Sequence, residues 1–261
     1  MKSEQNDSQP PSISGNSTVS VPEHVAIIMD GNSRWAKRQG KSTSSGHKAG
    51  VEAVREVLRL ATEYGIHVVT LYAFSSENWQ RPALEVKALM TLLGVYLKSE
   101  TKQLHKDGVQ VRFIGARDKF SKGLLKQMEQ AEALTIDNTQ SVLVIAVDYG
   151  GQWDIANAAR VLAEKVQAGV LEPDQIDAAL LGRHIALSDL PAPDLCIRTA
   201  GEQRLSNFLL WQLAYAEYFF TDTLWPDFGK LDMDRALRAY SQRDRRYGGR
   251  GKAPSLDVEA H

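Results

Sequence analysis

The sequence predicts an α/β protein: a single domain with a central, mostly parallel six-stranded sheet flanked by helices. Short runs rich in β-branched residues alternate along the chain with longer segments whose apolar residues recur at helical spacing. Strands that are apolar throughout are typical of a parallel sheet that is covered on both faces. A hydrophobic fraction of 43% over 261 residues is enough for such a core.

Each element follows from its local pattern. Apolar residues between 51 and 61 fall on one face of a helix, and Pro82 and Gly108 bound a long helix over 84–105. Further helices are predicted over 119–134, 153–167, 205–214 and 232–246. The six strands are predicted at 25–29, 66–74, 109–114, 141–147, 194–197 and 215–220.

The two ends of the chain differ from the predicted domain, which spans 23–250. Residues 1–22 are rich in Ser, Asn, Gln and Pro and lack the apolar run of a signal peptide, so we expect a disordered tail. Residues 251–261 are expected to form a flexible tail. No linker or repeat interrupts the segment between them, which favours one domain.

Composition narrows the function classes. Lys plus Arg (31) nearly balances Asp plus Glu (32), so no global field attracts nucleic acid and anion recognition must be local. The single cysteine, Cys196, excludes an internal disulfide and a zinc site built from cysteines, which fits a reducing, cytoplasmic location. The most apolar late stretch, 208–220, is too short to span a bilayer.

Polar clusters follow four of the predicted strands, at 30–34, 75–81, 148–151 and 198–204. Ligands of open parallel sheets bind at the carboxyl ends of the strands, so these clusters predict a common site. Arginines suited to bidentate phosphate contacts lie in or beside three of them: Arg34, Arg81, Arg198 and Arg204. The sequence therefore predicts a site that binds a polyanion.

Acidic residues in such a setting suggest a metal ion. Asp30 and Glu217 have the oxygen ligands that Mg²⁺ prefers, and Mg²⁺ bridges carboxylates and diphosphates. Gly31 lets the backbone approach a phosphate at the start of a helix. Other interpretations stay open at this point. Asp30 also fits a helix cap, Arg198 and Arg204 fit surface ion pairs, Trp79 fits core packing, His47 fits either a structural or a functional role, and the basic segment 243–250 fits a solvated face.

Several long motifs then resemble one family. HVAIIMDGNSRWAKRQG, GHKAG, TLYAFSSENWQRP, DYGGQWDI, DLCIRTAGEQRLSNFLLWQLAYAEYFF, LWPDF and RDRRYGG are similar to motifs of the cis-prenyltransferases, especially the bacterial undecaprenyl diphosphate synthases, from about residue 24 to 249. The resemblance implies a homodimer with a hydrophobic tunnel. It also implies Mg²⁺-dependent condensation of an allylic diphosphate, commonly farnesyl diphosphate, with successive isopentenyl diphosphates.

The resemblance also assigns roles by position. It implies catalytic roles for Asp30 and Asn78 and metal binding for Asp30 and Glu217. Because a neutral amide is a poor base, we expect Asn78 to position a proton path rather than to take the proton. Substrate binding is implied for Gly31, Asn32, Ser33, Arg34, Trp35, His47, Ser75, Ser76, Glu77, Trp79, Arg81, Arg198, Arg204, Leu205, Ser206, Arg246 and Gly248. The last two belong to a tail that reaches the neighbouring subunit's site.

A tunnel for the growing chain is expected beside the long helix. Its lining is predicted to include Leu84, Ala88, Leu92, Leu93 and Tyr96, although core packing explains these residues equally well. Since each five-carbon unit gains on the order of 4 kcal/mol from burial, a long product should leave slowly. Peripheral contact with a membrane would then assist its release.

The sequence departs from the commonest family pattern at five positions. Ser33 and Ala200 stand where glycine is usual, Thr43 where arginine is frequent, Gln203 where histidine is common, and Asp148 where asparagine is common. We expect a weaker grip on the allylic diphosphate with an intact catalytic centre. The alternative to an active enzyme is a non-catalytic partner subunit of the same fold, which should have lost Asp30 or the arginines.

Overall fold

The computed structural model describes residues 20–243, which fold around one six-stranded sheet. All neighbouring strands are parallel, in the order β3-β4-β2-β1-β5-β6. The strands are β1 His24–Ile28, β2 Val68–Ser75, β3 Val109–Ile114, β4 Ser141–Tyr149, β5 Leu195–Arg198 and β6 Glu217–Phe220. The predicted α/β class is therefore confirmed, and β1 lies near the middle of the sheet.

Seven helices cover the sheet within residues 20–243. They are α1 Asn32–Arg38, α2 Thr43–Tyr64, α3 Ala83–Lys106, α4 Lys122–Thr135, α5 Gly151–Gln167, α6 Ala178–Gly182 and α7 Lys230–Ser241. Short 3₁₀ turns span Ser76–Gln80, Pro173–Gln175 and Trp225–Asp227. None of the helices in this part of the chain has the length and apolar content needed to cross a bilayer.

Local capping sets where the main helices begin and end. Ser42 accepts a hydrogen bond from the backbone N–H of Ser45 at the start of α2, and Gly65 ends that helix with φ 74°. Ser121 caps α4 in the same way by accepting from the N–H of Leu124. Helix α3 begins directly after Pro82, as predicted.

The sheet separates two apolar layers. The larger packs α2, α3, α4 and α7 against one face and includes Val57, Leu97 and Trp225. The smaller covers the other face and includes Tyr149 and Phe208. Both faces of the sheet are thus buried, which explains why the strands read as apolar throughout.

One predicted helix does not form. Residues 205–214 adopt turns, with positive φ at Ser206 (49°), Asn207 (62°) and Leu209 (42°). The backbone carbonyl of Asn207 accepts from the N–H of Gly151 at 2.6 Å, and its side-chain Oδ1 accepts from the N–H of Gln152 at 2.9 Å. These long-range bonds fix a conformation that a helix could not supply.

Other differences are small. Helix α6 was not predicted, and α7 ends at Ser241 within the predicted segment 232–246. The predicted tails, apart from residues 20–22, and Arg246 and Gly248 lie outside the described residues.

Candidate active site

A cavity of about 440 Å³ lies at the carboxyl ends of β1, β2, β4 and β5. Its polar lining joins the strand ends that the sequence singled out. Of the predicted site residues, it includes Asp30, Gly31, Asn32, Ser33, Arg34, His47, Ser75, Asn78, Arg81, Arg198, Arg204 and Ser206. Four arginines and one carboxylate therefore face a common space, as expected for a polyanion site.

Asp30 is fixed through its backbone. The buried hydroxyl of Thr199 donates to the carbonyl oxygen of Asp30 at 2.6 Å and accepts from its N–H at 2.9 Å. The N–H of Trp225 also donates to that carbonyl at 3.0 Å. Gly31 is the N-cap of α1, and its helix end has no side-chain cap, so Asp30 does not serve as a cap.

Arg198 holds the Asp30 carboxylate from the neighbouring strand. Its guanidinium is only 4% exposed and donates through Nη2 to Asp30 Oδ2 at 3.0 Å. Nη1 donates to Ser206 Oγ at 2.7 Å and to the carbonyl of Arg204 at 2.6 Å. A buried guanidinium with three acceptors is not a surface ion pair, and its orientation is set before any ligand binds.

Arg34 and Arg204 share a second carboxylate, Glu202, which is not among the predicted site residues. Arg34 lies 3.3 Å from Asp30 Oδ1 and donates to the carbonyl of Ala200 at 2.8 Å. Glu202 bridges Arg34, at 3.1 Å, and Arg204, at 2.5 Å. The position of Glu202 between Arg198 and Arg204 in the sequence could have indicated that it belongs to the site.

Gly31 is required by close contact. Its φ is 107°, and a Cβ at this position would lie 2.9 Å from Leu224 Cδ2 and 3.0 Å from the Cβ of Ala200. Ala200 itself has φ 72°, in the left-handed region that favours the glycine usual at this position. The turn after β1 is therefore packed directly against the turn after β5.

The second strand end contributes a hydrogen-bonded turn. The N–H of Ser75 donates to Oδ1 of Asn78 at 3.1 Å, which leaves the Asn78 amide nitrogen available to the cavity. Arg81 pairs with Glu85 at 3.0 Å. Burial, followed by the positive charge of Arg81, lowers the pKa of His47, whose Nε2 is buried without a partner. His47 is thus a neutral group facing the cavity.

Five other predicted binding residues do not line this cavity. Trp79 packs edge-on against Phe74 at 5.1 Å, and its substrate role stays a prediction. Trp35 donates to Asp227 at 2.6 Å, and Glu77 accepts from Asn207 at 2.8 Å. The remaining two are Ser76, in the 3₁₀ turn, and Leu205, packed on the smaller apolar layer.

Glu217 lies far from Asp30 within one chain. It pairs in register with Leu195 at the start of β5, whereas Asp30 lies beyond the end of β1 and contacts Arg198 at the end of β5. Three strand residues separate those positions by about 10 Å. Glu217 forms an ion pair with Arg243 instead. Its predicted metal role stays a prediction.

The deeper lining of the cavity is apolar. Leu92, Leu93 and Tyr96 of α3 line it as predicted, together with Val54 of α2 and Ile145 of β4. The prediction was wrong for two residues. Leu84 is 83% exposed and Ala88 is exposed, because both lie on the opposite face of α3, and Leu89 and Met90 line the cavity in their place.

One carboxylate of the site is a candidate ligand for a divalent metal ion. Within residues 20–243, Asp30 is the one acidic residue that lines the cavity, and no cluster of three acidic, His or Cys ligands exists. The Asp30 side chain is 31% exposed. Mg²⁺ commonly binds through one or two carboxylates, substrate phosphates and water. A lone Asp30 in a cavity that four arginines also line fits that pattern.

An arginine-lined mouth above an apolar pocket suits a ligand with a polyanionic head and a hydrocarbon chain. Residues 28–248 match the protein family described as "Putative undecaprenyl diphosphate synthase". The chain belongs to this family of cis-prenyltransferases, as the sequence motifs predicted.

Individual relatives agree. The chain is 55% identical over 226 residues, 87% of its length and 89% of the relative's, to the ditrans,polycis-undecaprenyl-diphosphate synthase ((2E,6E)-farnesyl-diphosphate specific) of Escherichia coli. Identity to the enzyme of that name from Pseudomonas putida is also 55%, covering 88% and 91% of the two chains.

Solved structures share the fold. Lavandulyl diphosphate synthase from Lavandula x intermedia, in complex with dimethylallyl diphosphate, superposes with a TM-score of 0.85 at 41% identity, covering 87% of this chain and 98% of that one. A probable undecaprenyl diphosphate synthase from Campylobacter jejuni gives 0.74 at 29%, covering 88% and 99%.

Proposed function

We propose that the chain condenses (2E,6E)-farnesyl diphosphate with successive isopentenyl diphosphates to give undecaprenyl diphosphate, a lipid carrier for cell-wall glycan synthesis. The observation that carries the proposal is the joined cavity, in which arginines and Asp30 surround the mouth and apolar side chains line the interior. The names of the relatives at 55% identity supply the substrates.

The arginines have the chemistry that the first step requires. Breaking the allylic C–O bond leaves a carbocation on the chain and places the electron pair on the departing diphosphate. Donors held in position stabilise that charge most strongly in the transition state. Arg198, fixed by three acceptors, is such a donor, and Arg34 and Arg204 add two more charges at the mouth.

The second step forms a carbon–carbon bond and releases a proton. The double bond of isopentenyl diphosphate attacks the cation, and a proton then leaves from C2 of the attacking unit to form the new double bond. Asn78 is held by Ser75 beside the cavity, where its amide can position a proton acceptor but not replace one. We propose a diphosphate oxygen or Asp30 as that acceptor.

Asp30 is the residue that would hold Mg²⁺, together with diphosphate oxygens. When bound, the ion neutralises diphosphate charge. Arg198 and Arg34 occupy the two Asp30 oxygens in the structure, so they orient the carboxylate toward the cavity.

We also propose a cytoplasmic homodimer. In the described part of the chain, β6 is an edge strand of the sheet, where Phe220 is 37% exposed and stacks on Tyr218 at 6.2 Å. A second copy covering this edge would pair its unused backbone groups and bury its aromatic surface. By the family resemblance, Arg246 and Gly248 would then reach the site of that second copy. Mixing the inactive Asp30→Ala and Arg246→Ala variants should restore part of the activity; no recovery in mixed dimers would contradict a site shared between subunits.

The central test is a radiolabelled assay with farnesyl and isopentenyl diphosphates, with product length read by thin-layer chromatography. We expect long-chain product with Mg²⁺ and none in chelator. Asp30→Ala should abolish the reaction, whereas Asp137→Ala, an exposed aspartate remote from the cavity, should not. Full activity in Asp30→Ala would refute the mechanism. No activity in the parent chain would favour the partner-subunit alternative.

A further inference from the structure

The outward side of α3 combines exposed apolar residues with lysines. Its members are Leu84, Lys87, Ala88, Thr91, Val95, Lys98 and Lys102, all of which are exposed; we call them the α3 outer face. At 100° per residue these positions fall within one stripe of the helix. Leu84 is 83% exposed and Val95 58%, although both are side chains that usually lie inside a protein.

The charge of this face has one sign. Its three lysines form no salt bridge with another described residue, and it carries no carboxylate. The two acidic residues of α3 point elsewhere and are already paired, Glu85 with Arg81 at 3.0 Å and Glu100 with Arg55 at 2.7 Å. The face is therefore a basic amphipathic surface rather than a network of surface ion pairs.

The opposite side of the same helix lines the cavity. Leu92, Leu93 and Tyr96 face the apolar interior, so a single helix separates the pocket for the hydrocarbon chain from the α3 outer face. Leu84 and Val95 are 11 residues apart, which spans about 16 Å along the axis. A convex stripe, with one lysine between Leu84 and Val95 and two beyond Val95, fits a flat surface better than a groove.

We propose that the α3 outer face docks on an anionic lipid bilayer. Leu84 and Val95 would enter the interface, and Lys87, Lys98 and Lys102 would contact anionic headgroups, the arrangement by which amphipathic helices lie in the plane of a membrane. Docking itself does not depend on the proposed function, but its role does. It would place the apolar cavity next to the bilayer, into which the polyprenyl product would pass.

The test is sedimentation of the full chain with vesicles of phosphatidylglycerol and phosphatidylcholine, compared with pure phosphatidylcholine. We expect binding to the anionic vesicles that weakens with salt. Each lysine contributes about fivefold to partitioning, so Lys98→Gln/Lys102→Gln should bind about 30-fold more weakly. Leu84→Ser/Val95→Ser should also reduce binding, whereas Val170→Ser, an equally exposed apolar residue after α5, should not.

Activity separates this proposal from the proposed function. In detergent-free buffer both double variants should keep the wild-type rate for the first condensation, and they should lose the rise in steady-state rate that anionic vesicles give the wild type. The lipid-docking proposal would be overturned by equal binding to both vesicle types or by double variants that bind like the wild type. An equal loss of binding in Val170→Ser would also overturn it. Vesicle binding without any condensation would instead overturn the proposed function alone.

Discussion

The hydroxyl of Thr199 allows the position of Asp30 to be tested directly, because it holds the Asp30 backbone without lining the cavity. It donates to the Asp30 carbonyl at 2.6 Å and accepts from the Asp30 N–H at 2.9 Å, in a fully buried position. Thr199→Val removes both bonds and keeps the volume. Thr199→Ser keeps the oxygen and removes one methyl group, which makes it the matched control.

The hydrogen bonds that remain set the size of the stability loss expected for Thr199→Val. Without the hydroxyl, the Asp30 carbonyl keeps the N–H of Trp225 at 3.0 Å, and the Asp30 N–H keeps the carbonyl of Ile28 at 3.0 Å. Because neither group becomes an orphan, we expect a loss of about 1–2 kcal/mol in the free energy of unfolding. That corresponds to a fall of about 2–8 °C in Tm for a chain of this size.

Activity should fall further than stability. A catalytic group displaced by about 1 Å can lower the rate 100-fold. We therefore expect kcat/KM of Thr199→Val to drop about 10- to 100-fold and its half-maximal Mg²⁺ concentration to rise. Thr199→Ser should stay within a fewfold of the parent. If the folded Val and Ser variants showed equal activity and equal Mg²⁺ dependence, the hydroxyl would not be what positions Asp30.

Three further predictions concern the surroundings of the site. Gly31→Ala should cost about 1–3 kcal/mol more stability than Gly40→Ala in urea unfolding. Both glycines have positive φ, but a Cβ at Gly31 would meet neighbouring atoms and one at Gly40 would not; equal losses would contradict the close contact. Burial lowers the pKa of His24 from 6.5 to about 4, so the unfolded chain binds the proton first as pH falls. Stability should therefore drop by about 3 kcal/mol between those values, and a His24→Asn variant with an unchanged pH dependence would refute this. Arg198→Lys keeps the charge but cannot satisfy three acceptors, so kcat/KM should fall at least tenfold, whereas exposed Arg183→Lys leaves it unchanged.

The sequence was most informative where local signals and topology agree. Gly108 and Gly115 bound β3, and its predicted limits match the structure. Asp30 and Arg198 could be placed at one edge because both follow apolar strands of a parallel sheet. Their direct contact could not be predicted, because it depends on β1 and β5 being neighbours across more than 160 residues.

The remaining errors have a common cause in long-range contacts. Leu84 and Ala88 share the helical period of the cavity-lining residues, yet the rotation of α3 against the sheet turns them outward. Asn207 sits in an apolar pattern typical of a helix, yet its bonds to α5 hold a left-handed turn.

The bridge that Glu202 makes between Arg34 and Arg204 has a consequence for repeated turnover. An enzyme that adds many units must discharge one diphosphate in every cycle, and three unopposed guanidiniums would retain it. Glu202 offers two of them an internal partner once the anion departs, while Arg198 remains clamped by its own acceptors. We therefore expect one permanently paired cation and two exchangeable ones at the mouth, and Glu202→Gln should make inorganic diphosphate a stronger inhibitor.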